Sequence, residues 1–225
     1  MTAAPSGATA APPLTRSLFL FSIIYGGMVV LAGVLGNKQV ALGPLAVEAG
    51  IFPFLMLVAI SSAVSELHGQ QTANKLVLWG FVPLVLSILL TLLVLVLPAA
   101  RDMDPARLGA FETILGSSPR LMAAGIVAYG TSQFLNVTIF SRLRGREGAS
   151  GSSWLAIRGA IASALSQIVD TLLFVTIAFY GVFPIAQLLA GQMLAKVVLS
   201  IAVIPFVITG AVALGRSIDR GEFGQ

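Results

Sequence analysis

The chain has 225 residues, 57% hydrophobic and 10% charged, with a mean hydropathy of +0.97; a single water-soluble core cannot hide so much apolar surface, so lipid is the expected solvent. The net charge of +4 reflects a shortage of acids, 9 against 13 Lys and Arg, and no basic run interleaved with aromatics is present, which excludes nucleic acid as a partner. The absence of cysteine excludes disulfides, thiolate metal sites and a Cys nucleophile.

In chain order, residues 1–15 are dominated by Ala, Pro, Ser, Thr and Gly and contain no aromatic residue; such a segment buries too little surface to order itself and is expected to be a disordered tail. Residues 16–215 are expected to form one transmembrane domain, with 216–225 a short cytoplasmic tail. Apolar runs predict six helices, at 17–36, 45–66, 76–97, 121–143, 155–179 and 185–214. The first run is too long for the apolar centre of a secretory signal and reads as a retained span. Gly50 and Pro53 interrupt the second, so residues 43–54 also read as a broken or re-entrant segment, tolerable where it faces protein or a water-filled cavity. The last contains Pro205 and exceeds a hydrocarbon core in length, predicting a tilt or kink.

Six spans put the termini on one side together with the loops near Lys75 and Arg142. That side carries seven basic residues, Arg16, Lys75, Arg142, Arg144, Arg146, Arg216 and Arg220, against four on the other, Lys38, Arg101, Arg107 and Arg120. The bias predicts that both termini lie in the cytoplasm. Residues 99–120 are then the long outer connection, and the Gly/Ser-rich 144–153 a cytoplasmic turn.

The informative residues are those hydrocarbon rejects. Asp170 in the fifth span and Lys196 in the sixth each cost roughly 2.5–3.5 kcal/mol at depth if they stand alone, which predicts a mutually neutralising pair facing the bundle interior. The bland alternative is a pair that only fixes helix register. Ser132-Gln133-Phe134-Leu135-Asn136 and Ser166-Gln167-Ile168-Val169-Asp170 share the pattern S-Q-x-x-[N/D]. Positions three apart share a helical face, so Gln133 with Asn136 and Gln167 with Asp170 form two polar patches. On antiparallel neighbouring spans these are expected to meet at similar depth, as in transporter sites; ordinary interhelical hydrogen bonding is the competing reading. Glu66, one turn after Ser61 and Ser62, reads as a site residue or a solvated helix end. Arg158, after Trp154, reads as a ligand contact or a snorkelled side chain, and Asn37-Lys38 as a site element or a helix terminus. His68 alone indicates nothing. Metal-ligand spacing, nucleotide-binding glycine loops and hydrolytic triads are absent from the sequence, so neither an enzyme nor a cofactor is expected.

Taken in order, Asn37-Lys38, Glu66-Leu67-His68-Gly69, Ser132-Gln133 with Ile139-Phe140, Arg158 with Ser166-Gln167 and Asp170-Thr171, and Lys196 with Pro205 resemble the bacterial queuosine-precursor transporters, the vitamin uptake transporter family, across about residues 20–214. The resemblance implies uptake of 7-cyano-7-deazaguanine or 7-aminomethyl-7-deazaguanine. Ser62, Asn136 and Val203 stand where that family usually has Asp, which leaves Glu66, Asp170 and Lys196 as the ionisable candidates.

The expected fold class is therefore all-α and polytopic, with six transmembrane helices around an interior polar site built from Gln133, Asn136, Arg158, Gln167, Asp170, Lys196, Glu66 and Asn37. Amides and a carboxylate suit the N–H-rich edge of a deazapurine, and Tyr129, Phe134 or Phe174 are candidates to cover its rings. The expected partners are that small molecule and the lipid bilayer, with a homodimer left open. The competing transport reading is a vitamin or nucleobase carrier, such as the substrate-binding subunit of an energy-coupling-factor system.

Overall fold

The computed structural model describes residues 15–43, 45–116, 119–144, 152–181 and 185–221. Its elements are α1 (Arg16–Leu35), a hairpin of β1 (Gln39–Leu42) and β2 (Leu45–Glu48), α2 (Ile51–His68), α3 (Gln70–Val96), α4 (Pro105–Leu115), α5 (Pro119–Arg142), α6 (Ser152–Phe179) and α7 (Ala186–Asp219).

Five helices are long and apolar enough to cross a membrane, within α1, α2, α3, α6 and α7. The expected fourth span, α5, is 24 residues long but more polar, because Thr131, Ser132, Gln133, Asn136 and Thr138 fall within one stretch of it. Large apolar side chains such as Phe19, Leu78, Trp79, Leu89 and Phe206 point outward along α1, α3 and α7, an arrangement stable against lipid and not against water.

The second expected helix is corrected. Residues 45–48 pair antiparallel with β1, Gln39 opposite Glu48 and Val40 opposite Val47, and the helix begins only at Ile51. Gly43, at φ +61°, opens the two-residue link between the strands, a conformation that a side chain would strain. Pro53 is the third helical residue of α2, where its missing amide hydrogen costs no intrahelical bond. The architecture is thus helical with one small hairpin, and the anticipated break near Gly50 is the junction between them. The connection between α3 and α5 also contains α4, whose Pro105 occupies the first turn and whose N-cap Asp104 accepts from the Ala106 amide at 3.3 Å.

Helix α2 is the centre of the bundle, touching α1, α3, α5, α6 and α7. Every residue from 57 to 65 is buried, and the small Ala59, Ser61, Ser62, Ala63 and Ser65 let neighbouring backbones approach. It joins two packing clusters, one with Phe140, Ala162, Ala195, Ile204 and Ile208, the other with Phe21, Tyr25, Val77 and Tyr129. Gly69, at φ +84°, reverses the chain between α2 and α3 with no intervening loop. Helix α7 runs unbroken through Pro205 for 34 residues. At one end of the bundle Ser17 ties the start of α1 to the end of α7: its amide and hydroxyl donate to Asp219 Oδ1 and Oδ2 at 3.0 and 2.7 Å, and His68 Nε2 lies 2.9 Å from the same hydroxyl. The tail expected at 1–15 lies outside the described residues save Thr15, and so does most of the 144–153 turn.

Candidate functional site

At the other end of the bundle a cavity of about 440 Å³ opens between the last turns of α1, the hairpin, and parts of α2, α3, α4, α5, α6 and α7. That volume suits a small organic molecule. The long helices contribute Leu57 of α2, Tyr129 of α5, Asp170 and Phe174 of α6 and Lys196 of α7 to its lining.

Lys196 Nζ lies 3.2 Å from Asp170 Oδ2, with side chains 8% and 9% exposed. Ser132 donates to the other carboxylate oxygen at 3.3 Å. The pair expected from the sequence therefore forms, and the two Ser-Gln motifs do meet, through Ser132 of the first and Asp170 of the second. The rest of the first motif turns elsewhere. Asn136 Nδ2 donates toward Ser61 Oγ, Ser62 Oγ and the Val58 carbonyl of α2 at 3.2, 3.1 and 3.4 Å, while Gln133 Oε1 accepts from Tyr25 and Ser61 at 3.5 and 3.4 Å. Tyr129 in turn donates to the Tyr25 hydroxyl at 2.9 Å.

This layer is incompletely satisfied. Gln133 Nε2, Asn136 Oδ1, both amide atoms of Gln167, Ser163 Oγ and Thr171 Oγ1 are buried with no hydrogen-bond partner among the described residues. A buried polar group left unpaired costs about 1–3 kcal/mol. Such a layer, with Gln167 and Thr171 flanking Asp170 on α6, is one that other polar atoms, whether water or a solute, would satisfy.

Glu66 and Arg158 belong to a different place. Arg158 NH2 donates to Glu66 Oε2, and Arg144 Nε lies 3.9 Å from the same oxygen. The Arg158 guanidinium also stacks 4.2 Å from the Phe140 ring centroid, a cation–π contact. Arg158 is buried, so the snorkelled reading is set aside. Twelve residues of α6 separate it from Asp170, about 18 Å at 1.5 Å per residue. Asn37 is exposed; its amide donates to the Gly33 and Val34 carbonyls at the end of α1, and the residue lines the cavity mouth. Of the aromatic candidates, Tyr129 and Phe174 line the cavity, whereas Phe134 packs in the α1–α3–α5 cluster. Sequence reasoning missed Tyr25, which a lone tyrosine in an apolar span does not announce, and Glu48, which falls in the strand that the sequence reads as the start of a helix.

A bundle of apolar helices enclosing a charged pair beside a solute-sized cavity defines a polytopic membrane protein of the transporter type. Residues 48–210 match the family described as "Putative vitamin uptake transporter", and the chain belongs to that family. It is 30% identical over 148 residues to the "Probable queuosine precursor transporter" of Bacillus subtilis (strain 168), covering 65% of this chain and 62% of the relative, so the likeness spans less than two thirds of that protein. No solved structure matches the chain.

Proposed function

We propose that this protein carries 7-deazaguanine precursors of queuosine, 7-cyano-7-deazaguanine or its 7-aminomethyl congener, inward across the cytoplasmic membrane. The observation that carries the reading is the Asp170–Lys196 pair, both of whose side chains line the cavity; Gln133 and Gln167, whose amides carry atoms without partners, are buried on α5 and α6 outside that lining. A carboxylate accepts two hydrogen bonds from an N–H/NH2 edge, Lys196 donates to a ring carbonyl, and Gln133 and Gln167 do either. Tyr129 and Phe174 supply ring contacts. The printed name of the Bacillus subtilis relative points to the same solute class.

In this reading α5 crosses the membrane beside the five apolar helices, giving six crossings. The Ser17–Asp219 bonds, which join the beginning of α1 to the end of α7, support an even number. The basic bias assigns the Ser17–Asp219 end to the cytoplasm. The cavity then faces outward, and the Glu66–Arg158 pair with Phe140 closes the cytoplasmic half. Transport follows when the helices rock about the Asp170 level, closing the mouth and parting Glu66 from Arg158.

The test is restoration of queuosine in the tRNA of a strain lacking precursor synthesis, supplied with each deazaguanine, with and without this protein. Restoration that depends on the protein is expected. No restoration by either compound, with the protein present in the membrane, rejects the substrate assignment.

A further inference from the structure

Glu48 lies at the end of β2, beside the fully buried Val47, and strand alternation directs the two side chains to opposite faces. Val47 enters the core and Glu48 lines the cavity. Gln192 Nε2 donates to Glu48 Oε1 at 3.3 Å. Gln192 is buried and stands one turn before Lys196 on α7, about 6 Å along the axis. This bond holds the carboxylate on the cavity wall within a helical turn of the Asp170–Lys196 level. No hydrogen bond to Glu48 Oε2 occurs among the described residues.

Three charged side chains line the cavity among the described residues: Glu48, Asp170 and Lys196. Asp170 neutralises Lys196 at 3.2 Å, whereas the partner of Glu48 is a neutral amide. Among the described residues, two carboxylates against one ammonium leave one negative charge in excess, and in a cavity with largely apolar walls that charge is felt beyond its immediate neighbours. We infer that Glu48 sets the charge selectivity of the cavity, favouring flat heteroaromatic solutes that bear a protonated alkylamine over neutral or anionic congeners. The solute class rests on the function proposed above; the excess charge does not. The hydrogen bond from Gln192 organises the site by holding one oxygen of Glu48 in place, leaving Oε2 to meet the ammonium.

The two parts are tested separately in the full-length protein, which has no native cysteine. Ser87→Cys places a thiol on the cavity wall. Its rates of modification by 2-aminoethyl methanethiosulfonate and by 2-sulfonatoethyl methanethiosulfonate are compared with and without Glu48→Gln, which keeps the oxygen that Gln192 uses. Removing the charge is expected to lower the cation-to-anion rate ratio about fivefold; an unchanged ratio overturns the inference. In parallel, the ratio of affinities for aminomethyl- and cyano-deazaguanine is expected to fall about tenfold in Glu48→Gln, or 1.4 kcal/mol. Both affinities dropping together, with their ratio kept, also overturns it. A shifted reagent ratio with neither deazaguanine bound by the unaltered protein leaves the charge inference standing and removes the proposed substrate.

Discussion

The Asp170–Lys196 pair invites the most direct test, because a structural tie and a binding group respond differently when both charges are removed. At 3.2 Å and an effective dielectric of ~20, the mutual attraction is about 5 kcal/mol before desolvation is charged against it, and Ser132 adds a hydrogen bond worth ~1 kcal/mol. Asp170→Asn strands a buried ammonium and Lys196→Met strands a buried carboxylate. Each is expected to lower the unfolding free energy by about 3 kcal/mol. The double variant leaves neither charge behind, so its stability is expected to return to within ~1 kcal/mol of the starting protein, a coupling of about 5 kcal/mol. Unfolding in mixed micelles measures these values. Deazaguanine uptake into cells, run on the same variants, is expected to vanish in all three. Uptake returning together with stability in the double variant would show that the pair only fixes helix register, and would refute its place in the site.

Gln167→Leu removes two polar atoms that have no partner, so stability is expected to hold or rise by ~1 kcal/mol while uptake falls at least about tenfold; a large loss of stability in micelles contradicts this. Glu66→Gln with Arg158→Gln removes the charges behind Phe140, and a thiol at the buried Ser163, introduced as Ser163→Cys, is expected to become at least about fivefold more reactive to water-soluble reagents from the cytoplasmic side of inverted vesicles. Equal labelling with and without the ion pair rules out a closing role. Gly80→Ala would set a methyl 2.7 Å from the Tyr129 hydroxyl and from Tyr25 Cε1, forcing the two tyrosines apart at a cost of roughly 1–3 kcal/mol; unaltered thermal stability contradicts that packing.

What could be read before the structure follows from how strongly lipid penalises each residue. Asp170 and Lys196 are legible because isolated charges at depth must find each other, and they do. The meeting of the two Ser-Gln motifs was legible only in part: helical spacing shows which residues share a face, yet does not say which neighbour that face meets. Gln133 and Asn136 therefore turn to the serines of α2, which no periodicity announces. Glu66 and Arg158 looked like separate helix-end residues, since a contact between residues 92 positions apart leaves no local trace. Of the hairpin, only its second strand, 45–48, reads as helix from sequence, because Leu, Ala and Val in a short run fit either period; Gly50 and Pro53 marked the break that follows it. Five helices stand out by apolarity alone, and α5 falls short because the polar residues of the central layer lie on it.

The hairpin deserves to be considered as a part in its own right. It enters the core through one fully buried side chain, Val47, grips α7 through Gln192, and presents Glu48 and Gln39 to the cavity. Because its ladder bonds run between its own two strands, the cavity-facing positions Gln39 and Glu48 can be exchanged by evolution or an engineer while Val47 and the helices stay packed. Relatives that differ there and agree in the Asp170–Lys196 level would share one translocation machine and admit different guests.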